Sequence, residues 1–541
     1  MAPGGCARLT PVSAHLAELL TLAASEAPEH VALVDAASGR RVTWADLDAE
    51  TDRVARGLNA LGLVAGYRVV LAMSNRVEFV TSYLGTLRAG LVAVPVNPRS
   101  ATGELVRLVA DSGARVVMAD GDTVTTVRQA VAGLQDALVG ADEELVRSTV
   151  VPRIVVVGVP AVPGETTYAA MLDAAGTEAP VVRDPERLAV LLYTSGTSGR
   201  PRAAMLSHRA LLANIEQAAR IDPPMLAGDD VVLGVLPLFH VYGLNAVLGQ
   251  VLRQRARLVL VNGFDMEDSL AVIEDEAVTV LPVAPPVFAY WQAVHDLEDR
   301  LSGVRLVLSG SAPLSGALVD FFERRTGIAV HQGYGLTEAA PVVTSTLRSA
   351  RPKPGSVGAA LDGIEIRLVD DAGHPPDGED PGEIWIRGAN LFSGYWPGGE
   401  DGPDEDGWYA TGDVGFLDGD GDLFLVDRLK DLVIVSGFNV YPFEVEEVVA
   451  EVDGVAEAAV IGTPHPQTGE AVVAYVKPSG TRYTPEELEE RVREHCAVRL
   501  ARFKQPTEVH VVAELPHTGT GKVAKGRLRE RRQRRGQGLL E

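Results

Sequence analysis

Three segments of this sequence gather side chains suited to holding a phosphorylated ligand. Tyr193 to Pro201, YTSGTSGRP, sets the hydroxyls of Thr194, Ser195, Thr197 and Ser198 and the glycines Gly196 and Gly199 just ahead of Arg202. Glycines let backbone N–H groups approach a phosphate, hydroxyls donate to it, and a cation neutralises it. The GxxxxGK[ST] spacing of a Walker A loop is absent here, and GTGKV near the end of the chain fails the same test, with Pro516 where the first glycine should stand. Gln332 to Glu338, QGYGLTE, brings a flat ring, a hydroxyl and a carboxylate within five positions, which suits a nucleotide: Tyr334 for a base, Thr337 for phosphate, Glu338 for magnesium. Asp413, in GWYATGDVGF, could accept from both hydroxyls of a ribose. Each segment also reads as an ordinary Gly-bracketed turn, and taken singly none decides.

The elements that must position these segments follow from hydrophobic periodicity. From about Tyr67 to Tyr334, short apolar runs such as YRVVLAM, LVAVPV, RIVVVG, LAVLLYTSG, ARLVLV and RLVLSG read as buried strands. Helical spacing between several of them, as from Ala210 to Ile221 and Leu314 to Phe322, predicts α/β architecture with parallel sheets. Between Gly355 and Arg428 the texture changes to short strands (IEIRLVD, GEIWIRG, DLFLVDR) broken by Gly, Pro and Asp, the signature of a small β-rich lobe. From Asp431 a separate α+β unit of roughly 110 residues begins. Its helix TPEELEERVREHCA opens on a Thr cap, and its Arg-dense ending, GRLRERRQRRGQGLLE, reads as a solvated tail. The expected division is a large domain over 1–428, with the β-rich lobe at about 355–428, and a small C-terminal domain over 429–541.

Bulk properties narrow the partners. Forty-nine Lys and Arg against 73 Asp and Glu give a formal charge of −24, which repels nucleic-acid phosphate and anionic lipid. Cys6 and Cys496 form no metal or disulfide pattern, pointing to a reducing, cytoplasmic setting. No run of about 18 uncharged apolar residues exists to cross a bilayer. The opening MAPGGCARLT followed by LAELLTLAASEA reads as an amphipathic helix, not a signal peptide. Nothing in the sequence opposes a homodimer.

In combination the motifs are specific. YTSGTSGRPR, LPLFHVYG, QGYGLTE, GWYATGDVGF, DRLKD and LPHTGTGK follow one another over more than 300 residues, and in that order the chain resembles the acyl-adenylate-forming superfamily. The resemblance implies an ATP-dependent acid–thiol ligase that uses ATP, Mg2+ and coenzyme A. Thr194, Ser195, Gly196, Thr197, Ser198 and Gly199 match its β,γ-phosphate loop. Gly333, Tyr334 and Gly335 match the adenine site, Thr337 the α-phosphate contact and Glu338 the metal carboxylate, while Asp413 and Arg428 match the ribose contacts. Lys522 matches the lysine that reaches the α-phosphate and acyl oxygen; Lys430 falls on the hinge about which a mobile C-terminal domain swings; Ser436, Gly437 and Phe438 fall on the strand that faces the site when the thiol attacks. Arg202 and Ala203 depart from the usual Lys-Gly, and because Arg is bulkier and not freely exchangeable with Lys, the handling of pyrophosphate is placed in question.

The same resemblance draws the acyl pocket from His240 to Gly243, Val283 to Pro286, Ser309 with Gly310, and Gly335. These segments are apolar or small apart from His240, Tyr242 and the serines, so a neutral apolar acid is expected, first a medium- or long-chain fatty acid and next an aryl or hydroxycinnamic acid. No long insertion of the kind found in carrier-protein-loading relatives interrupts Leu347 to Glu383, which favours coenzyme A as acceptor. His240 is read as a pocket wall, since a carboxylate nucleophile needs no deprotonation at pH 7.

Overall fold

The computed structural model describes residues 14–134, 149–174, 176, 184–194, 202–312, 314, 316–370, 372–376, 378, 380–428, 431–435, 438–465, 468–518 and 522–536. The uninterrupted apolar runs form strands because both faces of their sheets are covered. Along Arg68–Ala72, Val69 and Leu71 point into one core and Val70 and Ala72 into another. A seven-stranded sheet runs in the order Thr166–Thr167, Arg153–Val156, Val116–Ala119, Arg68–Ala72, Val92–Pro95, Leu188–Thr194, Arg202–Ser207. Its pairings are parallel up to the last, where Leu188–Thr194 turns back on Arg202–Ser207. Ala203, one of the two departures from the family pattern, therefore sits in an ordinary extended strand.

A nine-stranded sheet lies on the other side of a shared core. Its order is Ala359–Ala360, Val342–Ser345, Val330–Gly335, Leu306–Ser309, Val280–Val283, Val231–Gly234, Arg257–Leu260, Val31–Asp35, Arg41–Thr43. The shared core draws Leu71 from the first sheet, Val232 and Leu258 from the second, and Trp44, Phe79 and Leu211 from the helices Trp44–Ala60, Val77–Arg88 and His208–Ala219. Thr43 and Ser207 start the first and last of these helices by accepting from the N–H groups of Asp46 and Ala210, satisfying donors that would otherwise be orphaned.

The β-rich lobe is an antiparallel sheet of Ile364–Val369, Gly382–Gly388, Trp408–Leu417 and Leu423–Arg428. Asp413 is thus a strand residue, opposite Arg428 in register, and not a turn residue. In the C-terminal unit the capping box of Thr484 and Glu487 opens the helix Pro485–Arg499, which buries Leu488, Val492 and Cys496 against a five-stranded sheet. The Arg-rich ending corrects the expectation of a solvated tail. Lys525–Gly536 is helical, buries Leu528, and fastens Arg529 to Asp431 at 2.6 Å and Arg532 to Glu508 at 2.5 Å. Among the described residues no helix is long and apolar enough to cross a membrane.

Two histidines lie inside the shared core. The rings of His15 and His208 stand 3.9 Å apart, and each Nδ1 accepts a backbone N–H, from Ala17 and Leu16 respectively. Burial, with the neighbouring His15 as a second cause, pushes the His208 imidazole down to about 3, and burial also lowers His15. A group whose folded pKa is depressed binds its proton more readily when unfolded, so its stabilising contribution is complete above about 6.5 and drains away as pH falls toward 3. His208 alone should cost about 2 kcal/mol by pH 5. Thermal melting at pH 7 and pH 5 should therefore show a clear fall for the natural sequence and a shallower one for His208→Gln, which keeps an acceptor but does not titrate. Equal falls would show that the pair does not govern this window.

Candidate active site

The two sheets and the β-rich lobe meet around a cleft of about 850 Å³. Its walls come from the carboxyl ends of strands in both sheets: Pro95 and Val96 follow Val92–Pro95, Tyr193 and Thr194 end Leu188–Thr194, Ser309 and Gly310 end Leu306–Ser309, and Gly335 and Leu336 end Val330–Gly335. Crevices outside strand carboxyl ends are where open parallel sheets expose backbone groups to ligands.

Most of the residues selected from sequence converge here. Thr194, Arg202, His240, Ser309, Gly310, Gly333, Tyr334, Gly335, Thr337, Glu338, Asp413 and Lys522 all line this one cleft. Tyr334 and Asp413, both more than nine-tenths buried, are joined by the Tyr334 phenol donating to Asp413 Oδ2 at 2.7 Å. A ring and a carboxylate suited to base and ribose are thereby locked at one spacing. The close bend at Gly335 needs glycine, since a Cβ there would stand 2.3 Å from the Pro341 carbonyl oxygen. Ser195, Gly196, Thr197, Ser198, Gly199, Lys430, Ser436 and Gly437 lie outside the described residues, and for Arg428 only the backbone register with Asp413 is described. Phe438 is exposed and stacks on Phe503 with ring centres 4.9 Å apart.

Two expected parts of the pocket fall elsewhere: neither Gly243 nor the segment Val283 to Pro286 lines the cleft, and Val283 is instead buried in the core around Trp291. Gly243 lies within the Tyr242–Gly249 π-helix, against Pro237, where a Cβ would meet the Pro237 carbonyl oxygen at 2.3 Å. Its smallness serves that contact, while His240, Val241 and Tyr242 are the members of the segment that line the cleft. The edge of the Tyr242 ring abuts Gly310, where a Cβ would sit 2.9 Å from the ring. The Ser309 hydroxyl, 4% exposed, has no hydrogen-bond partner among the described residues. Met225, Leu308 and His331 complete this part of the lining and were not selected from sequence, because each reads there as an ordinary core or strand residue.

Electrostatics divide the cleft. Arg202, Glu338, Asp413 and Lys522 carry charge along the walls expected to face ATP, whereas the described lining residues from Met225, Phe239–Tyr242 and Leu308–Ser311 include no Asp, Glu, Lys or Arg. His240 stands between these regions. Its Nδ1 accepts the Tyr242 N–H at 3.3 Å, and burial first, then the Lys522 charge, pushes it down to about 4, so it is a neutral wall at pH 7. Arg202 pairs with Asp401 at 2.7 Å and lies 3.8 Å above the Tyr395 ring, while the Tyr395 phenol donates to Glu338 Oε1 at 2.6 Å. Burial and then the Glu338 charge push the Tyr395 phenol well above its usual range, which keeps it a donor.

A magnesium ion would suit this donor set. Among the described residues no group of three or more His, Cys, Asp or Glu side chains could hold a metal by itself, and Glu338 is a buried carboxylate on the cleft wall, the other, Asp413, being held by the Tyr334 phenol. Mg2+ characteristically takes one or two carboxylates and draws its remaining oxygens from substrate phosphate and water.

Comparison with known proteins agrees with this geometry. Residues 20–396 match the model of the AMP-binding enzyme family, and residues 444–522 that of the AMP-binding enzyme C-terminal domain. The chain is 35% identical over 517 residues to 4-coumarate–CoA ligase 5 of Oryza sativa subsp. japonica, covering 93% of this chain and 91% of that protein. It is also 35% identical over 497 residues to the long-chain-fatty-acid–CoA ligase of Yersinia pestis, covering 87% and 86%. Among solved structures, ATP-bound MatB from Rhodopseudomonas palustris superposes with a TM-score of 0.83 at 32% identity over 95% of this chain and 98% of that one. The same protein without ligand gives 0.74, so the arrangement described here is the more similar to the ATP-bound form. With the family model matched over most of the length, the C-terminal model matched behind it, and the motif residues gathered in one cleft, the chain belongs to the AMP-binding enzyme family.

Proposed function

We propose that this chain, an AMP-forming acid–CoA ligase, activates a neutral carboxylic acid with an apolar body, a medium- or long-chain fatty acid first among them. The observation that carries this reading is the division of the cleft: charge lies along the expected ATP walls and is absent from the lining around Met225, Tyr242, Leu308 and Ser309. An ammonium or a second carboxylate on the acid would meet no opposite charge from those segments, and burying it unpaired is costly.

The reaction has two half-steps. In the first, a carboxylate oxygen of the acid attacks the α-phosphorus of ATP and the bond to the β-phosphate oxygen breaks, giving acyl-adenylate and pyrophosphate. In the second, the coenzyme A thiolate attacks the acyl carbon and AMP leaves. Thr194, Thr337 and Arg202 would bind the phosphates, with Ser195 to Gly199 closing over them; Tyr334 would stack on adenine, and Asp413 and Arg428 would take the ribose. Lys522 would neutralise charge at the α-phosphate and the acyl oxygen as they approach. Glu338 would hold Mg2+, which supplies charge neutralisation at the triphosphate when bound. His240, neutral at working pH, shapes the path of the acid and moves no proton.

Lys522 and Thr518 stand in the C-terminal domain, after the Lys430 position, while the other described cleft residues precede that position. The arrangement therefore suits the first half-step. For the second, Ser436 to Phe438 would replace Lys522 after a swing about Lys430.

A second reading, an aryl acid carrying a ring hydroxyl, is favoured by one feature: the buried Ser309 hydroxyl without a partner, in the same lining as Tyr242. A ligand oxygen would satisfy it, whereas an alkyl chain would leave it unpaired.

Two measurements follow. Lys522→Ala should lower acyl-adenylate formation by about 10²–10³, the scale of a lost electrostatic partner, while synthetic acyl-adenylate plus coenzyme A still gives thioester at near the natural rate; equal loss in both half-reactions would make Lys522 structural. A panel of fatty acids of increasing length with benzoate, cinnamate and 4-hydroxycinnamate, read by AMP release, should rank the fatty acids first. In that case Ser309→Ala leaves KM for the acid unchanged, whereas a preference for 4-hydroxycinnamate with KM raised about tenfold by Ser309→Ala, the cost of a lost hydrogen bond, would select the second reading.

A further inference from the structure

The segment Phe392 to Trp396, unremarkable in sequence, grips the site from two sides. On one side it extends the seven-stranded sheet beyond its Arg202–Ser207 edge: Ser393 N–H donates to the Met205 carbonyl at 2.9 Å, Met205 N–H to that of Gly394 at 3.0 Å, and Trp396 N–H to that of Ala203 at 2.8 Å. On the other side it holds Glu338 twice. Phe392 N–H donates to the Glu338 carbonyl at 2.9 Å and the Tyr395 phenol to its carboxylate at 2.6 Å. Tyr395 is 9% exposed and packed edge-on against Phe392, which also meets Tyr409. Its ring therefore has little freedom to turn.

The second face of Tyr395 carries Arg202. The guanidinium carbon lies 3.8 Å from the ring centre, within the range of a cation–π contact, and the guanidinium is oriented from its far side by Asp401 at 2.7 Å. A lysine ammonium at 202 would lack the planar fork that allows stacking and pairing at once. One aromatic side chain thus touches both the carboxylate and the guanidinium that border the expected triphosphate site.

We propose that Tyr395 is a positioning residue for adenylation: its phenol orients the Glu338 carboxylate toward the metal that accompanies ATP, and its ring seats the Arg202 guanidinium. The proposal rests on the reading of Glu338 as the metal carboxylate. Partners that hydrogen-bond a ligating carboxylate fix its direction, and their loss weakens metal binding without removing a ligand.

The two functions separate by substitution. Tyr395→Phe keeps the ring under Arg202 and removes only the hydrogen bond. Binding of α,β-methylene-ATP, measured by calorimetry across a magnesium titration, should then require about tenfold more Mg2+ for half-saturation, with nucleotide affinity at saturating Mg2+ close to that of the natural sequence. Tyr395→Leu should lose both contacts, weaken nucleotide binding at saturating Mg2+ to the level of Arg202→Ala, and show no further loss when the two changes are combined. A residue that only packs would lower the melting temperature in both variants and leave the magnesium requirement where it was. That outcome for Tyr395→Phe overturns the proposal, even if Tyr395→Leu fails to fold. Glu338→Gln serves as the control: if it shifts the magnesium requirement and Tyr395→Phe does not, the role of Glu338 stands and that of Tyr395 falls, whereas no shift in either variant removes both.

Discussion

One cation, Lys522, reaches the cleft from outside the large domain, and the proposed chemistry depends on it. Lys522 belongs to a C-terminal unit with its own core of Val433, Val445, Val472 and Val492, yet with Thr518 it lines a cleft whose remaining described walls are built before Asp431. Its charge is felt there, adding to burial in holding the His240 imidazole at about 4. A lysine on a rigid wall of the large domain would be present through both half-reactions. On the proposed swing about Lys430, a lysine carried by a separate unit would be brought in for adenylation and withdrawn when the thiol enters. Short backbone bonds of the Thr518–Lys522 segment serve the same end by fixing the lysine within its own domain: Thr518 N–H donates to the Lys522 carbonyl at 2.7 Å, and Lys522 N–H to the Thr518 hydroxyl at 3.2 Å.

In the proposed reaction the large domain presents fixed partners to the unit that carries Lys522, and its architecture explains how. Two sheets covered on both faces share one core, so the carboxyl ends of their strands hold steady positions to either side of the cleft. Thr194 and Arg202 are placed by strand ends, Glu338 by the turn Thr337–Ala339 and Asp413 by the interior of a strand in the β-rich lobe, while Leu308 and Tyr242 of the uncharged lining come from a strand and from the Tyr242–Gly249 π-helix. The Tyr334–Asp413 bond ties the second sheet to the β-rich lobe at the point where a nucleoside would lie.

Much of this was legible in the sequence because it depends on local patterns. Buried parallel strands announce themselves as continuous Val, Ile and Leu runs, and each run read as a strand between Arg68 and Ser309 is one. The phosphate and nucleotide segments were legible by residue type and order. What escaped depended on contacts distant in the chain. Asp413 looks like a turn residue between glycines until Leu423–Arg428 and Gly382–Gly388 pair on either side of its strand. The Arg-rich ending looks solvated because its partners lie far off: Arg529 pairs with Asp431, 98 positions away. Tyr395 sits in a Gly- and Pro-punctuated stretch that any turn would explain, and its meaning comes from Glu338, 57 residues earlier.

Position 202 shows how such distant contacts alter the weight of a local departure. Read by sequence, arginine for lysine in the phosphate loop is a bulkier cation beside ATP. In three dimensions the guanidinium lays a face over the Tyr395 ring while its Nη2 pairs with the Asp401 carboxylate, and an ammonium offers no plane to stack. Asp401 itself adopts φ 51°, a left-handed conformation uncommon outside glycine, and its side chain is 71% exposed, so burial does not hold it in place. Arg202, Tyr395 and Asp401 therefore form one arrangement, in which the unusual cation, the ring beneath it and the carboxylate beside it have to be explained together. Because the phenol on the same ring donates to Glu338, the residue at position 202 and that carboxylate, 136 positions apart in the chain, meet on one side chain.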